Sequence, residues 1–442
     1  MGLTERANRA LIIKLIAAAT TYGFSVLLAR TMPTPEFGKV VLFLNAALIL
    51  SVIGARGQQI AALRFLPPLV QNLDKDSQIT FQHHLYCNAA PTTLAIFAIA
   101  LGGAVITLQS GGLAEYSLVQ LVLGLLLIPL VGWVDLQSHI ARGYHLIQLS
   151  LIPKEILWRG VTAILVLVLF LSGGMTLISA TPVLLALTLT LFLVGLVQRL
   201  WLAQRTVLSI NKPTEIRDIP DEWRSSTNPF WVTSVSNIFL ANADVVMVGI
   251  FAGPTAAGYY FAANRLAMLL AFFLTSYNVV LGPMLAEAWH SSRPQYAEYL
   301  IQKTTLNMTL PTILLGLVLA GLATQFLQLF GPEFTIAATP LRILILAGIL
   351  NAASGPADIA LNMCGFQRQA MLASAASLAI SAVVLFLGAV TAGATGIALA
   401  VLFGTVVRKA IYWWLAQKHM SIRTDIFATL GRNPNYITAP KQ

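Results

Sequence analysis

Asp244-Val-Val-Met-Val-Gly-Ile-Phe-Ala-Gly-Pro-Thr-Ala-Ala-Gly258-Tyr-Tyr-Phe-Ala-Ala-Asn264-Arg265 decides how this chain is read. Two long apolar segments meet at the short turn from Gly253 to Gly258, and each carries a charge several residues in from it. Asp244 lies seven residues before Phe251, and Arg265 lies seven after Gly258. At ~1.5 Å of rise per residue, antiparallel helices would hold both on the order of 10 Å below one membrane face. A lone charge near mid-bilayer costs about 2.5–3.5 kcal/mol on insertion scales, so acid and base either pair or line a polar cavity.

Outward from that stretch the composition agrees. The 442 residues are 57% hydrophobic and only 10% charged, far below the ~25% charged residues of a soluble chain. Lys and Arg number 27 against 17 Asp and Glu, a net +10. The basic residues fall in short loops between apolar runs, which reads as positive-inside bias and not as nucleic-acid binding. Cys87 and Cys364 are far apart in apolar segments, so neither a disulfide framework nor a metal motif is expected. The six histidines, His83 and His84 among them, are expected in or near loops. The first apolar run is too long for a cleaved signal and is expected as an uncleaved helix.

Runs able to cross ~30 Å of hydrocarbon recur near 10–30, 40–63, 85–108, 118–140, 152–171, 182–203, 228–251, 258–286, 304–329, 341–363, 370–390 and 396–416. The fifth is short and is expected to let Lys154 and Arg159 snorkel to one interface. Loop charges place both termini in the cytoplasm of a cell whose inner membrane holds the chain. The longest polar stretch, 204–227, divides an N-terminal lobe (1–203) from a C-terminal lobe (228–418), with a cytoplasmic tail at 419–442.

Three echoes in matching order suggest two parallel repeats. Trp201-Leu-Ala-Gln-Arg205 answers Trp414-Leu-Ala-Gln-Lys418. The turn from Arg30 to Gly38 answers Gly253 to Gly258. Asp135 before Arg142-Gly143 answers Asp358 before Gly365 and Arg368. Pro91, Pro129, Pro283, Pro311 and Gly355-Pro356 interrupt spans, as in helices that bend around a cavity. The fold expected is an all-α polytopic membrane protein, with about twelve transmembrane helices in two pseudo-symmetric six-helix lobes.

Neither a GxxxxGK[ST] loop nor HExxH nor GxSxG occurs, and no extracytoplasmic block is large enough for a catalytic domain, so enzymatic chemistry is not expected. The intramembrane polar residues carry what remains. Asp244 shares a helix face with Asn237, and Asn242 is nearby. Asn264 flanks Arg265, and Asn278 lies deeper on the same helix. Arg56 sits among Gly54, Gly57, Gln58 and Gln59, and Arg30 ends the first span. Arginine suits phosphate because its planar fork makes paired charge-assisted bonds. Against these stand plainer readings: Asp244 and Arg265 as a structural pair, Arg30 as an interfacial anchor, Arg56 as a snorkelling side chain, and Asp135 and Asp358 as caps or loop contacts.

Leu27-Leu-Ala-Arg30 with Pro35-Glu-Phe-Gly38, the stretch from Asp244 to Arg265, and Leu341 to Gly365 with Asn351-Ala-Ala-Ser-Gly-Pro356 resemble the polysaccharide-unit flippases of the Wzx type, which act on O-antigen units. These belong to the multidrug/oligosaccharidyl-lipid/polysaccharide (MOP) exporter superfamily. The resemblance implies two lobes around a central cavity. It also implies alternating-access transfer of a polyprenyl-diphosphate-linked oligosaccharide across the cytoplasmic membrane. In that reading Arg265, Arg56 and Arg30 hold the diphosphate, and Asn237, Asn242, Asn264 and Asn278 meet sugar hydroxyls. Asp244, Asp358 and Asp135 are the candidates for coupling to H+ or Na+, with no cofactor required. The partners implied are the lipid-linked sugar and the bilayer, with a glycan polymerase and glycosyltransferases as candidates. The alternatives are a cation-coupled multidrug exporter of the same superfamily and a non-transporting scaffold for glycan synthesis.

Overall fold

Apolar runs of twenty residues or more, cut off from water, must satisfy their backbone internally, and helices do so within one segment. The computed structural model describes residues 3–113, 115–206, 223, 227–291 and 293–430, and the elements among them are helices. Most of the expected 204–227 linker and the end of the expected tail lie outside the described residues.

The chain divides into two compact units, Met1–Val246 and Met247–Gln442. The first holds α1 (Leu3–Thr31), α2 (Thr34–Ala55), α3 (Gln58–Gln71), α4 (Lys75–Gln109) and α5 (Leu118–Gly143). It continues with α6 (Ile147–Leu151), a π-helical turn at Ile152–Leu157, α7 (Trp158–Ser172), α8 (Ala180–Arg205) and the first part of α9 (Thr227–Ala267). The second holds the rest of α9, then α10 (Ala271–His290), α11 (Pro294–Gly321), α12 (Ala323–Gln328) and α13 (Ala338–Ala353). It ends with α14 (Ala357–Met363), α15 (Gln367–Met420) and α16 (Ile426–Leu430).

Among the described residues, nine helical stretches are long and apolar enough to cross a membrane. Thr227–Asn278 and Gln367–Met420 run to 52 and 54 residues, well over twice the ~20 a single crossing needs. Each is broken inside, at Gly253 (φ 83°, ψ 170°) and at Ala392-Gly393 (φ −143° and 54°). The second break folds α15 into a tight hairpin: a Cβ added at Gly388 would lie 2.5 Å from the Gly396 carbonyl oxygen. Counting each broken stretch as two crossings, and adding the apolar Leu15–Thr31 of α1, gives the twelve expected spans. The chain is a multi-pass membrane protein.

Three local expectations are corrected. The second span does not run from 40 to 63. Arg56 (φ 49°) and Gly57 (φ 75°) are both left-handed and end α2 at Ala55. A Cβ at Gly57 would sit 2.6 Å from the Thr227 carbonyl oxygen, so the close approach of α9 requires glycine there. Lys154 does not snorkel; it turns inward to Asp135. His83 and His84 lie well within α4, not in or near loops.

Glu36 ties the first unit together. Its Oε2 accepts the Ala180 amide (2.7 Å), one of the orphan donors at the start of α8, while Lys39 Nζ meets Oε1 at 2.6 Å. Gln120 of α5 completes a capping box with Ser117, and its Nε2 donates to Thr181 (3.2 Å). At the other end of this unit Phe65, Leu66, Phe81, Leu85, Ile140 and Leu202 form a packed cluster. In the second unit the corresponding role falls to Leu281, Leu285, Ile301, Leu361 and Tyr412. Elsewhere the apolar faces stay open, as on α7, where Ile164, Val168 and Leu171 are exposed. Such faces suit lipid and not water.

Candidate functional site

In the first unit the polar residues converge on Asp135, near the end of α5 and 9% exposed. Pro153 removes a backbone donor at the start of the π-helical turn, and the widened turn carries Lys154 toward α5. Lys154 Nζ bonds Asp135 Oδ1, Gln59 Nε2 donates to Oδ2 at 3.2 Å, and His139 Nδ1 stands 3.6 Å from Oδ1. His139 Nδ1 also lies 2.8 Å from the Asp135 carbonyl oxygen, so its donor there fixes the imidazole beside the carboxylate. Around this group α5 and α8 place further buried amides. Gln198 Nε2 donates to Ser138 Oγ (3.1 Å) and to the Leu149 carbonyl (3.0 Å). Gln137 is fully buried, and neither its amide oxygen nor its nitrogen has a partner among the described residues. Buried amides that the protein leaves unpaired cost ~1–3 kcal/mol each. The arrangement can shuttle a proton among a carboxylate, an imidazole and an amine held in one polar pocket.

The second unit builds its charged group where Gly355-Pro356 separates α13 from α14. Gly355 is left-handed (φ 76°), and a Cβ there would collide with the Thr424 carbonyl. That backbone turn aims the Gly355 carbonyl at Lys409 Nζ (3.2 Å), which is buried on α15 and stands 3.7 Å from Asp358 Oδ1. Thr305 Oγ1 donates to Thr424 O and Thr424 Oγ1 to Ser354 O, both at 3.0 Å, closing the segment after α15 over the cluster. Asp425 anchors that segment by accepting Trp413 Nε1 (2.8 Å), Arg423 (3.1 Å) and the Ala428 amide (3.0 Å). Partial burial pushes the Asp425 carboxyl up, but these donors outweigh it and hold it below the usual carboxylate range.

The remaining predicted residues are spread along the two units. Asp244 is buried in the first, and its Oδ1 accepts the Val245 amide at 2.9 Å. Asn242 is buried and donates to the Ile238 carbonyl (3.0 Å), whereas Asn237 is exposed. In the second unit Arg265 stacks on the Phe261 ring, 4.5 Å from its centroid, beside the half-buried Asn264. Asn278 is half-buried, and its Oδ1 has no hydrogen-bond partner among the described residues. Arg56 caps α2 and is exposed, and Arg30 is exposed in the last turn of α1. Sequence reasoning missed Lys154 and Lys409 as partners of Asp135 and Asp358. Lys409 stands well inside the 396–416 run, a position that marks a buried lysine, whereas Lys154 is the third residue of the 152–171 run and reads as an interfacial one.

Residues 9–289 match the family described as polysaccharide biosynthesis protein. A comparison with curated protein sequences returns no match. Among solved structures the chain is similar to an inward-facing multidrug resistance MATE family transporter of the MOP superfamily. The TM-score is 0.71 at 15% identity, covering 93% of this chain and 98% of that one. It is also similar to the Vibrio cholerae MATE transporter VcmN, as an aspartate-to-asparagine mutant, with TM-score 0.61, 14% identity and coverage of 94% and 97%. A MOP superfamily transporter from Pyrococcus furiosus, described as having a binding pocket of reverse polarity, gives TM-score 0.60 at 16% identity, covering 94% and 95%. At these identities the likeness is one of fold. The family match spans well over half of the chain, which therefore belongs to the polysaccharide biosynthesis protein family and carries the MOP-superfamily fold.

Proposed function

We propose that this chain is a flippase that carries a polyprenyl-diphosphate-linked oligosaccharide across the inner membrane by alternating access, with both termini cytoplasmic. The family match is the observation that carries the reading, because it ties a multi-pass membrane protein to polysaccharide assembly. Such a cargo keeps its polyprenyl tail in lipid, while its diphosphate and sugars need a polar route. Arg265, Arg56 and Arg30 are the proposed diphosphate contacts. Asn237, Asn242, Asn264 and Asn278 are the proposed sugar contacts. Proton coupling is assigned to Asp135 with His139 and Lys154, and Asp244 and Asp358 stand as further coupling sites.

The test is made in the native cell. A deletion strain should lose surface glycan and accumulate the lipid-linked unit, and Arg265→Ala at normal expression should lower export. Normal glycan export in the deletion strain would overturn the reading. The likeness to MATE structures supports a second reading, cation-coupled drug export. It predicts drug hypersensitivity of the same deletion strain with its glycan intact.

A further inference from the structure

The first unit contains an apolar groove that the coupling and substrate residues do not use. It has a volume of about 340 Å³ and runs between α4, α5 and α8, with the end of α2 as one wall. Tyr86 and Leu136 bound it at one end, and Leu94, Pro129 and Phe192 at the other. Along α4 the span from Tyr86 to Leu94 is eight residues, ~12 Å of rise. Leu94 and Phe192 are 54% and 47% exposed, so the groove opens sideways within a membrane-crossing stretch. Its lining is almost wholly carbon.

Charge is placed at one end of it. Arg199 of α8 donates to the Tyr86 hydroxyl (3.3 Å) and stacks on the same ring, 5.1 Å from its centroid. Among the described residues no carboxylate pairs with Arg199, so its positive charge is left for an anion. A groove of carbon ending at an arginine held by a phenol complements one kind of ligand, an apolar chain with an anionic head.

We infer that this groove binds the isoprenoid chain of a polyprenyl phosphate, with Arg199 at its phosphate. Straight acyl chains solvate any apolar helix face and need no recess. A chain methylated at every isoprene unit is knobbed, and Ala55, Ala89, Ala90 and Gly132 supply notches of matching scale beneath the rims of Trp133 and Phe192. Pro129 of α5 lines the recess on that side. This assignment rests on the flippase reading for its ligand class, but it is a separate site from the proposed coupling and diphosphate residues.

The experiment uses the full-length protein in nanodiscs and a polyprenyl monophosphate bearing a diazirine in its chain. Photolabel should fall on peptides holding Ala90–Leu94 and Pro129–Trp133, and excess unlabelled polyprenyl phosphate should chase it while phosphatidylglycerol does not. Ala90→Trp fills the groove from an exposed position that leaves the core intact, and should cut labelling about tenfold. Arg199→Gln should weaken it, with Arg199→Lys intermediate, and Leu314→Trp on an exposed face of the other unit should leave it unchanged. Label spread over all exposed faces, or chased equally by phosphatidylglycerol, would show an ordinary lipid crevice and end the proposal. A strain whose glycan export depends on this chain, with an unlabelled groove, would remove the groove alone. Specific labelling in a protein whose deletion spares export would remove the flippase reading alone.

Discussion

Asp135 and Lys154 are worth less to stability as a pair than either would cost alone. Two charges taken out of water roughly repay their desolvation when they meet, whereas deleting one partner leaves the other stranded, at ~3–5 kcal/mol. Asp135→Asn should therefore lower the melting temperature of the detergent-solubilised protein strongly. The double variant Asp135→Asn with Lys154→Met should recover much of the loss, and equal loss in both would show that the pair is not coupled. Asp425 gives a pH prediction. Its carboxyl titrates lower when the segment is docked than when it is free, so its stabilisation is complete above the free value, ~3.9. It is lost as pH falls through the lower, docked value. Trp413 fluorescence should stay constant from about pH 8 to pH 5 and change only under more acidic conditions, and Asp425→Asn should abolish that change. The aspartates at 135 and 358 were legible in the sequence as matched positions. Their lysines were not, because each partner lies across a loop whose path no local pattern encodes. Lys154 is 19 positions from Asp135 and Lys409 is 51 from Asp358.

At the scale of elements, hydrophobicity located nearly every crossing, since length and apolarity are what a bilayer selects. What it could not locate were breaks made by backbone conformation. Arg56-Gly57-Gln58-Gln59 is a short dip in hydropathy that the apolar residues on either side mask, and what sets the break there is α9 passing against Gly57. Gly57→Ala should cost roughly 1–3 kcal/mol, as strained backbone meets a closed space, and thermal unfolding would register it. Gly102→Ala in α4, with nothing within 4 Å of its added Cβ, should instead be neutral or stabilising by up to ~1 kcal/mol. Equal effects at both glycines would refute the account of the break. Removing the α5 cap with Ser117→Ala should cost ~1 kcal/mol, since it frees the Gln120 amide.

For the whole molecule, the basic loops argue one orientation. Reporter fusions should find the C-terminus and the 64–75 connection on the cytoplasmic side, and the 109–118 and 172–180 connections opposite. A periplasmic signal from a fusion at the C-terminus would reverse the assignment. The bond between Glu36 and Ala180 joins the second helix of the first unit to its last long apolar helix before residue 206, across 144 positions. At ~5–20 residues per second the ribosome needs roughly 7–30 s to make that much chain. Throughout that interval an acid made early must wait at the membrane for a partner that does not yet exist. Newborn chains cut short before residue 180 therefore carry a marker of incompleteness that finished ones conceal, and quality-control proteases should clear them faster when Glu36 is present than when it is glutamine.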